Sequence, residues 1–253
     1  MLHRLFALFR SSAMITSPAP AAAATLKVLT GGAFKQVVLA LVPEFEARTG
    51  QRVQVRNDTA GALSKRIAGG EAFDLAVITP PVLQALAAQG YVAADGIVPL
   101  ARVAIGVAVK SGTAKPEIGT VDQFKQAVLQ ARKVAYVDPA AGGSSGIYLD
   151  GLFQRLGIAD QVREKAVLVP GGLVAERLLN GEADLAIHQI SEILPVQGVT
   201  LVGPLPDAIQ NYTTYAGAVS RRAANAEAAQ AFLATLGGAQ AVELMRSKGM
   251  TPS

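Results

Sequence analysis

The chain of 253 residues contains no cysteine and no tryptophan, and only 5% of its residues are aromatic. Without cysteine it has no disulfide framework, no thiolate metal site and no thiol nucleophile. Its two histidines, His3 and His188, are too few for a histidine-rich zinc site. No GxGxxG, Walker A or HExxH string is present. We therefore expect neither a cofactor nor a catalytic metal.

Charge is also sparse, with 17% charged residues and a formal net charge of +4. Basic residues stand side by side in only three places, and no basic stripe alternates with aromatic residues, which argues against nucleic-acid binding. Hydrophobic residues make up 51% of the chain, yet beyond the N-terminus no apolar run approaches the ~20 residues that span a bilayer. This composition is typical of a soluble globular protein without stable membrane insertion.

The first 24 residues have the pattern of an export signal. A basic start is followed by a short apolar stretch at 5–9 and then by small residues with several A-x-A-like cleavage options. Arg10 interrupts the apolar stretch, so a disordered alanine-rich tail is the alternative. We interpret residues 1–24 as a signal peptide and expect a periplasmic product, free in solution because no lipobox cysteine is present.

From Leu26 onward, strand and helix patterns alternate. Apolar strand patterns at 26–30, 52–58 and 73–78 are separated by helical ones, and the same alternation continues from 134 to 188. Such crossovers predict doubly wound sheets of parallel strands. The run at 99–110 is longer than one ordinary strand, so we expect it to pass from one domain to the other.

Three loops lie where predicted strands lead into helices. They are 30–34 (TGGAF), 57–62 (NDTAGA) and 142–146 (GGSSG). In an open α/β sheet ligands bind at this edge, where helix N-termini offer free N–H groups. The loops are candidate anion sites, with ordinary flexible loops capped by serine as the alternative. We expect Asp58 to cap the helix that begins at Ala60.

The loop at 142–146 also matches GxSxG, with Asp184 and His188 downstream. A nucleophile elbow needs a strand that runs directly into the turn, whereas residues 138–141 intervene here. In addition, His188 has no obvious acid to orient it. A hydrolase-like enzyme that uses Ser144 or Ser145 with His188 is therefore only the alternative hypothesis.

Several segments resemble the periplasmic molybdate-binding proteins of ABC transporters, which belong to the type II periplasmic binding-protein superfamily. They are LKVLTGGAFKQVVLALVPEFEARTGQRVQV, AGALSKRIAGGEAFDLAVIT, VDP…GIYLDGLFQRLGI, NGEADLAIHQISEI and the tail from EAAQAFLATL to KGMTP. The resemblance implies two doubly wound α/β lobes joined by a hinge, with the ligand cleft between them. Lobe I would comprise residues 25–102 and 206–253, and lobe II residues 103–205.

The resemblance also implies which residues hold the ligand. Where the family has serines at the first two positions, this chain has Ala33 and Ala60, while the family tyrosine is present as Tyr215. Each lost donor to a charged acceptor costs roughly 1.5–3 kcal/mol, which favours a small organic carboxylate over molybdate or tungstate. The expected ligand-binding residues are Gly32, Ala33, Thr59, Ala60, Ser144, Ser145, His188 and Tyr215.

Two of these residues have a structural alternative. The alternative for His188 is a purely structural role as a hydrogen-bonded histidine at a strand end, and the alternative for Tyr215 is that of a core aromatic residue. The leading hypothesis is a monomeric binding protein, not an enzyme, that captures a small anion by hinge closure. Its partners would be this small anion and an ABC transporter permease.

Overall fold

The computed structural model describes residues 25–253, so the predicted signal peptide lies outside the described residues. In the described part of the chain, no helix is long and apolar enough to cross a membrane. The ten strands of residues 25–253 are β1 (Leu26–Gly31), β2 (Val53–Asp58), β3 (Leu75–Ile78), β4 (Val98–Lys110), β5 (Val134–Val137), β6 (Ala166–Val169), β7 (Leu185–Gln189), β8 (Val199–Pro204), β9 (Tyr212–Val219) and β10 (Met250–Pro252).

Ten α-helices connect and cover these strands within the same residues. They are α1 (Lys35–Thr49), α2 (Ala60–Ala68), α3 (Pro80–Ala88), α4 (Val121–Gln130), α5 (Ser144–Arg155), α6 (Ala159–Arg163), α7 (Glu176–Leu179), α8 (Ile190–Ile193), α9 (Ala226–Leu236) and α10 (Ala239–Ser247). A 3₁₀ turn at Gly32–Phe34 leads from β1 into α1.

The strands form one curled sheet in the order β2-β1-β3-β9-β4-β7-β5-β6, with β8 and β10 also paired to β4. Each half of the sheet has three parallel strands, β2-β1-β3 in the first and β6-β5-β7 in the second. The βαβ crossovers predicted from the alternating pattern produce these triplets. The mixed α/β class is as expected, and antiparallel β9 and β4 lie between the triplets.

Strand β4 belongs to both halves of the sheet. It pairs with β9 up to Ala104 and with β7 from Ile105 onward. This change of partner supports the expectation that the long apolar run passes between domains. The exact lobe boundaries at 102/103 and 205/206 stay a prediction.

A side chain completes the hydrogen bonding of β4 where its partners change. The Gln210 amide accepts from the Ile105 N–H at 3.0 Å and donates to the Ile105 carbonyl at 3.0 Å. The same carbonyl also accepts from the Leu205 N–H. Ile105 lies between the residues paired with β9 and those paired with β8, so the Gln210 side chain takes the place of a strand there.

Separate hydrophobic clusters stabilise the two halves. In the first half, Phe34, Phe45 and Phe232 pack together with the apolar faces of α1, α9 and α10. In the second half, Phe124 of α4 and Phe153 of α5 belong to the corresponding cluster. Each cluster consists of fully buried side chains, which is the arrangement expected of a unit with its own core.

Some element bounds differ from the sequence-based expectations. Helix α5 begins at Ser144 rather than Ile147, and the helix expected from Leu173 is only the four residues of α7. Strand β8 was not expected at all. Finally, Thr59 rather than Asp58 caps α2, since its Oγ1 accepts from the Ala62 N–H at 3.1 Å.

Candidate ligand-binding site

A cavity of about 250 Å³ lies where the carboxyl ends of the parallel strands from both halves meet. The ends of β1 and β2 face it from the first half, and the ends of β5 and β7 from the second. Ligands of α/β proteins bind at this edge of the sheet. The cavity is lined by Gly31, Gly32, Asn57, Asp58, Thr59, Ala60, Val137, Gly143, Ser144, Ser145, Gly171, Gly172, His188, Gln189, Glu192 and Tyr215.

We call Gly31, Gly32, Thr59 and Ala60 the first wall. It presents mainly backbone, and the N-terminus of the nine-residue helix α2 opens onto the cavity here. The first N–H groups of a helix have no partner within it and carry the positive end of its dipole. In α2 the Gly61 and Ala62 N–H groups already donate to the Gly142 carbonyl and to Thr59 Oγ1, so the Ala60 N–H and the helix dipole are what α2 offers to an anion.

We call Ser144, Ser145, His188, Gln189 and Glu192 the second wall. It combines the N-terminus of α5, which has no side-chain cap, with a network of side chains. Gln189 Nε2 donates to Ser144 Oγ at 3.1 Å, and the Gln189 Oε1 accepts from the Tyr215 hydroxyl at 3.2 Å. Burial raises the pKa of Tyr215, so its hydroxyl stays protonated and can act as this donor.

The two halves touch beside the cavity. Thr59 Oγ1 donates to the Ala141 carbonyl at 2.5 Å, and the Gly61 N–H donates to the Gly142 carbonyl at 3.2 Å. A Cβ on Gly61 would lie 2.9 Å from the Gly142 Cα, closer than such atoms approach. Only glycine at both positions allows this backbone contact. The two halves are thus in direct backbone contact at the rim of the cavity.

His188 and Glu192 form a buried pair in the second wall. His188 is near the end of β7 and Glu192 follows four residues later in α8, which places His188 Nε2 3.2 Å from Glu192 Oε2. The exposed fractions of the two side chains are 3% and 8%. His188 Nδ1 has no hydrogen-bond partner among residues 25–253.

Burial determines the protonation of this pair. It lowers the pKa of His188 to about 3 and raises the pKa of Glu192 to about 8, while the charge of Lys35 acts in the opposite direction on Glu192. Desolvation penalises the charged form of each group. Near neutral pH the pair is therefore an uncharged imidazole beside a protonated carboxyl.

The first wall makes room for this carboxyl. A Cβ on Gly32 would overlap Glu192 Oε1, and a Cβ on Gly31 would lie 2.7 Å from Tyr215 Cε1. The other acidic residue of the cavity, Asp58, is occupied: its Oδ1 accepts from the Thr59 N–H, and its Oδ2 is 3.4 Å from Arg66. The consecutive glycines thus allow an acidic side chain to reach the cavity.

Seven of the eight residues expected from the sequence line this one cavity, and their contact with a ligand stays a prediction. The exception is Ala33, whose side chain is buried in the core of the first half. Sequence reasoning missed Glu192, although its i+4 spacing from His188 was visible. The expectation that His188 has no acid partner is wrong, because Glu192 contacts it.

The hydrolase alternative gains no support from the geometry. Ser144 Oγ accepts from Gln189 and Thr213 rather than from His188. Asp184 is an ion-pair partner of Arg132 at 2.9 Å, away from the cavity lining. Within residues 25–253, no group of three His, Cys, Asp or Glu side chains is arranged to hold a metal ion.

Comparison with known proteins identifies the family. The sequence profile of a family described as bacterial extracellular solute-binding protein matches residues 26–251. The chain belongs to this family. The match agrees with the resemblance to type II periplasmic binding proteins that the sequence motifs indicated.

The names of the individual relatives indicate different functions. Aconitate isomerase from Pseudomonas sp is 34% identical over 234 residues, covering 90% of this chain and 88% of that protein. The periplasmic molybdate-binding protein of Azotobacter vinelandii superposes with a TM-score of 0.73 at 19% identity, over 89% of this chain and 98% of the other. The sulfate-binding protein of Mycobacterium tuberculosis H37Rv gives 0.72 at 20% identity, over 90% and 86%. Both solved structures have the same fold as this chain.

Proposed function

We propose that this protein captures a small organic carboxylate as the periplasmic solute-binding component of an ABC transporter. The observation that carries this proposal is the cavity of about 250 Å³ between the N-termini of α2 and α5. Helix N-termini that converge on a cavity are suited to an anion. The hydroxyl group of Ser144 lies beside them as a further polar group.

The charges around the cavity favour an anionic ligand at neutral pH. Glu192 keeps its proton there because burial raises its pKa to about 8. Asp58 is compensated by Arg66, and Lys35 is close enough to influence Glu192. The protonated Glu192 can donate a hydrogen bond instead of repelling the ligand.

Cavity size favours a carboxylate over a tetrahedral oxyanion. The volume of about 250 Å³ approaches the lower end of the roughly 300–1,000 Å³ range of small-molecule sites. A cavity of this size suits a ligand with more atoms than the central atom and four oxygens of a tetrahedral oxyanion. This agrees with the alanines at the two positions where the molybdate-binding family has serines.

Capture would proceed by closure of lobe I (25–102 and 206–253) on lobe II (103–205). Strand β4 joins the lobes, and the contacts of Thr59 and Gly61 with residues 141 and 142 would hold them closed. The closed monomer would be presented to a membrane permease. Export would use the signal peptide at 1–24.

A thermal-shift screen tests the proposed ligand class. The chain from residue 25 onward is heated with trans-aconitate, cis-aconitate, citrate, molybdate, sulfate and, as a cation, choline. A ligand at a hundredfold excess over its dissociation constant adds ~2.7 kcal/mol, which corresponds to roughly 5–10 °C for this size. We expect this shift with a tricarboxylate. A shift with molybdate, sulfate or choline alone would contradict the proposal.

A second candidate function is isomerisation of an unsaturated tricarboxylate. The observation that favours it is the 34% identity to aconitate isomerase over 90% of this chain. Proton-transfer groups in the cavity are compatible with such a reaction, which moves a double bond without a cofactor. Proton NMR of trans-aconitate incubated with the protein would reveal cis-aconitate if the function is shared, and unchanged substrate if the protein only captures it.

A further inference from the structure

The pair of His188 and Glu192 has features that ligand capture alone does not require. Both side chains line the cavity, both are buried, and they contact each other through His188 Nε2 and Glu192 Oε2 at 3.2 Å. Since Nε2 is engaged by Glu192, Nδ1 is the ring nitrogen left for a ligand, and it has no partner among residues 25–253. A buried polar atom without a partner is costly, so this one points to a ligand group.

The surroundings keep an acid and a base side by side. Burial lowers the pKa of His188 to about 3 and raises that of Glu192 to about 8. The charged and titratable groups that face the pair are Lys35, whose charge lowers the pKa of Glu192, and Tyr215, which stays protonated. Near neutral pH the imidazole is thus an unprotonated base and the carboxyl a proton donor, which is the division of roles in acid–base catalysis.

The fold also fixes the position of the acid. Gly32 leaves the space that Glu192 Oε1 occupies, because any Cβ there would overlap it. Helix α8 is only four residues long and begins directly after β7. The chain therefore turns back immediately after the strand, which places Glu192 beside His188. The carboxyl therefore reaches the cavity in a defined position.

We propose that His188 and Glu192 transfer a proton between two carbons of an unsaturated carboxylate bound in the cavity. This inference rests on the proposed capture of a carboxylate and assigns the catalytic residues of the second candidate function. His188 Nδ1 takes a proton from a CH₂ group next to the double bond. The C–H electron pair forms the new double bond, and the electrons of the old one take a proton from Glu192 at the far carbon.

The step balances without any further reactant. One C–H bond breaks and another forms, and nothing is oxidised or reduced. The imidazolium then releases its Nδ1 proton to solvent and the Glu192 carboxylate takes one proton from solvent, which restores the starting pair with Nδ1 unprotonated. No proton in this step is assigned to Ser144, whose Oγ is bonded to Gln189 and Thr213 and not to His188.

The test follows trans-aconitate in D₂O by NMR, with binding measured in parallel by calorimetry. We expect the wild type to place deuterium on carbon, because Glu192 carries a solvent-derived proton before the substrate binds. Glu192→Gln keeps the size and a hydrogen bond to His188 but has no acidic proton. It should bind trans-aconitate within a few-fold of the wild type and lose at least 100-fold in deuterium incorporation.

Two further variants make the result interpretable. Ser191→Ala removes a buried hydroxyl of α8 that has no hydrogen-bond partner among residues 25–253 and does not line the cavity. It should keep the wild-type rate. His188→Gln tests the base independently and should lose the exchange as well, with the folded fraction of each variant checked by thermal unfolding.

The outcomes separate this inference from the proposed function. Binding of trans-aconitate without deuterium incorporation would overturn the proton transfer and leave capture intact. Incorporation by Glu192→Gln at the wild-type rate would overturn the role of Glu192. Failure of the folded wild type to bind any carboxylate would overturn both proposals.

Discussion

The two walls of the cavity are built from different parts of the polypeptide. The first wall offers backbone N–H groups and, at Gly31 and Gly32, no side chains, while the second offers the functional groups of Ser144, His188, Gln189 and Glu192. One wall is suited to hold an anion of almost any kind. The other can distinguish anions and holds the pair to which the proposed proton transfer is assigned.

This division shows how one fold can serve both capture and chemistry. The donors of the first wall come from helix N-termini, which any sequence with this fold retains. The second wall depends on side chains, which single substitutions can replace. A change from binding protein to enzyme therefore needs new side chains on one wall only.

The largest effect is expected where the two walls meet. In Gly61→Ala the new Cβ would lie 2.9 Å from the Cα and 3.2 Å from the carbonyl oxygen of Gly142, and neither backbone atom can move aside easily. We expect the affinity for trans-aconitate to fall at least 100-fold, about 2.7 kcal/mol. The unliganded protein should be slightly more stable, because alanine is the better helix former.

Calorimetry and urea denaturation measure the two parts of this prediction. The matched control is Gly203→Ala in β8, where a Cβ would meet nothing closer than Ile118 Cδ1 at 3.8 Å. If Gly61→Ala binds as tightly as this control, closure does not require the contact between residues 61 and 142.

The second prediction concerns the pair of His188 and Glu192 in the second wall and uses the pH dependence of the free energy of unfolding. The pKa of Glu192 is near 4.5 in the unfolded state and near 8 in the folded state. The pKa of His188 is near 6.5 in the unfolded state and near 3 in the folded state. Between pH 4.5 and 6.5 both states hold one proton on the pair, so the pair leaves stability unchanged. From pH 6.5 to 8 the folded state holds one more proton, and stability should fall by about 2 kcal/mol as the pH rises.

Urea denaturation of wild type and Glu192→Gln across pH 5 to 8.5 measures this effect. The variant lacks the titrating carboxyl, so its stability should not fall between pH 6.5 and 8 as that of the wild type does. Parallel curves for the two proteins would mean that Glu192 is already ionised in the folded state, and the neutral pair would be excluded.

The smallest effect is expected for the first wall. Thr59→Ala removes the α2 cap, which is worth about 1 kcal/mol of stability in the empty protein. It also removes the hydroxyl that donates to the Ala141 carbonyl, so affinity should fall roughly threefold to tenfold. Thr59→Ser keeps both hydrogen bonds and should restore both properties, whereas equal losses in the two variants would implicate the methyl group instead.

Much of the architecture could be predicted because it follows from apolar periodicity. The alternating elements, the long run that became β4 and the three loops at strand ends all follow from patterns of apolar residues and glycine. Strand β8 did not, since five of its six residues are only half-buried, Pro204 is exposed, and the strand lacks a continuous apolar core face. The start of α5 was misplaced because Gly143 and two serines are more typical of a loop.

The decisive pair of the site was harder to predict. Residues 188–192 look like the end of a strand followed by a loop, and four-residue helices such as α8 have no sequence signature of their own. Only the immediate turn after Gln189 brings Glu192 back to His188. The role of Gly32 was equally hidden, because the space that it leaves is filled by a residue 160 positions later.

The Gln210 side chain at Ile105 has a consequence for how the molecule moves. Two of its hydrogen bonds take the place of a neighbouring strand at the point where β4 changes partners. A strand would tie Ile105 to a whole sheet edge, whereas a side chain can follow it by rotating about its own bonds. If the two lobes open and close as proposed, the Gln210 side chain can keep the Ile105 peptide group hydrogen-bonded during the movement, so opening of the cleft need not lower the local stability of the backbone that connects the lobes.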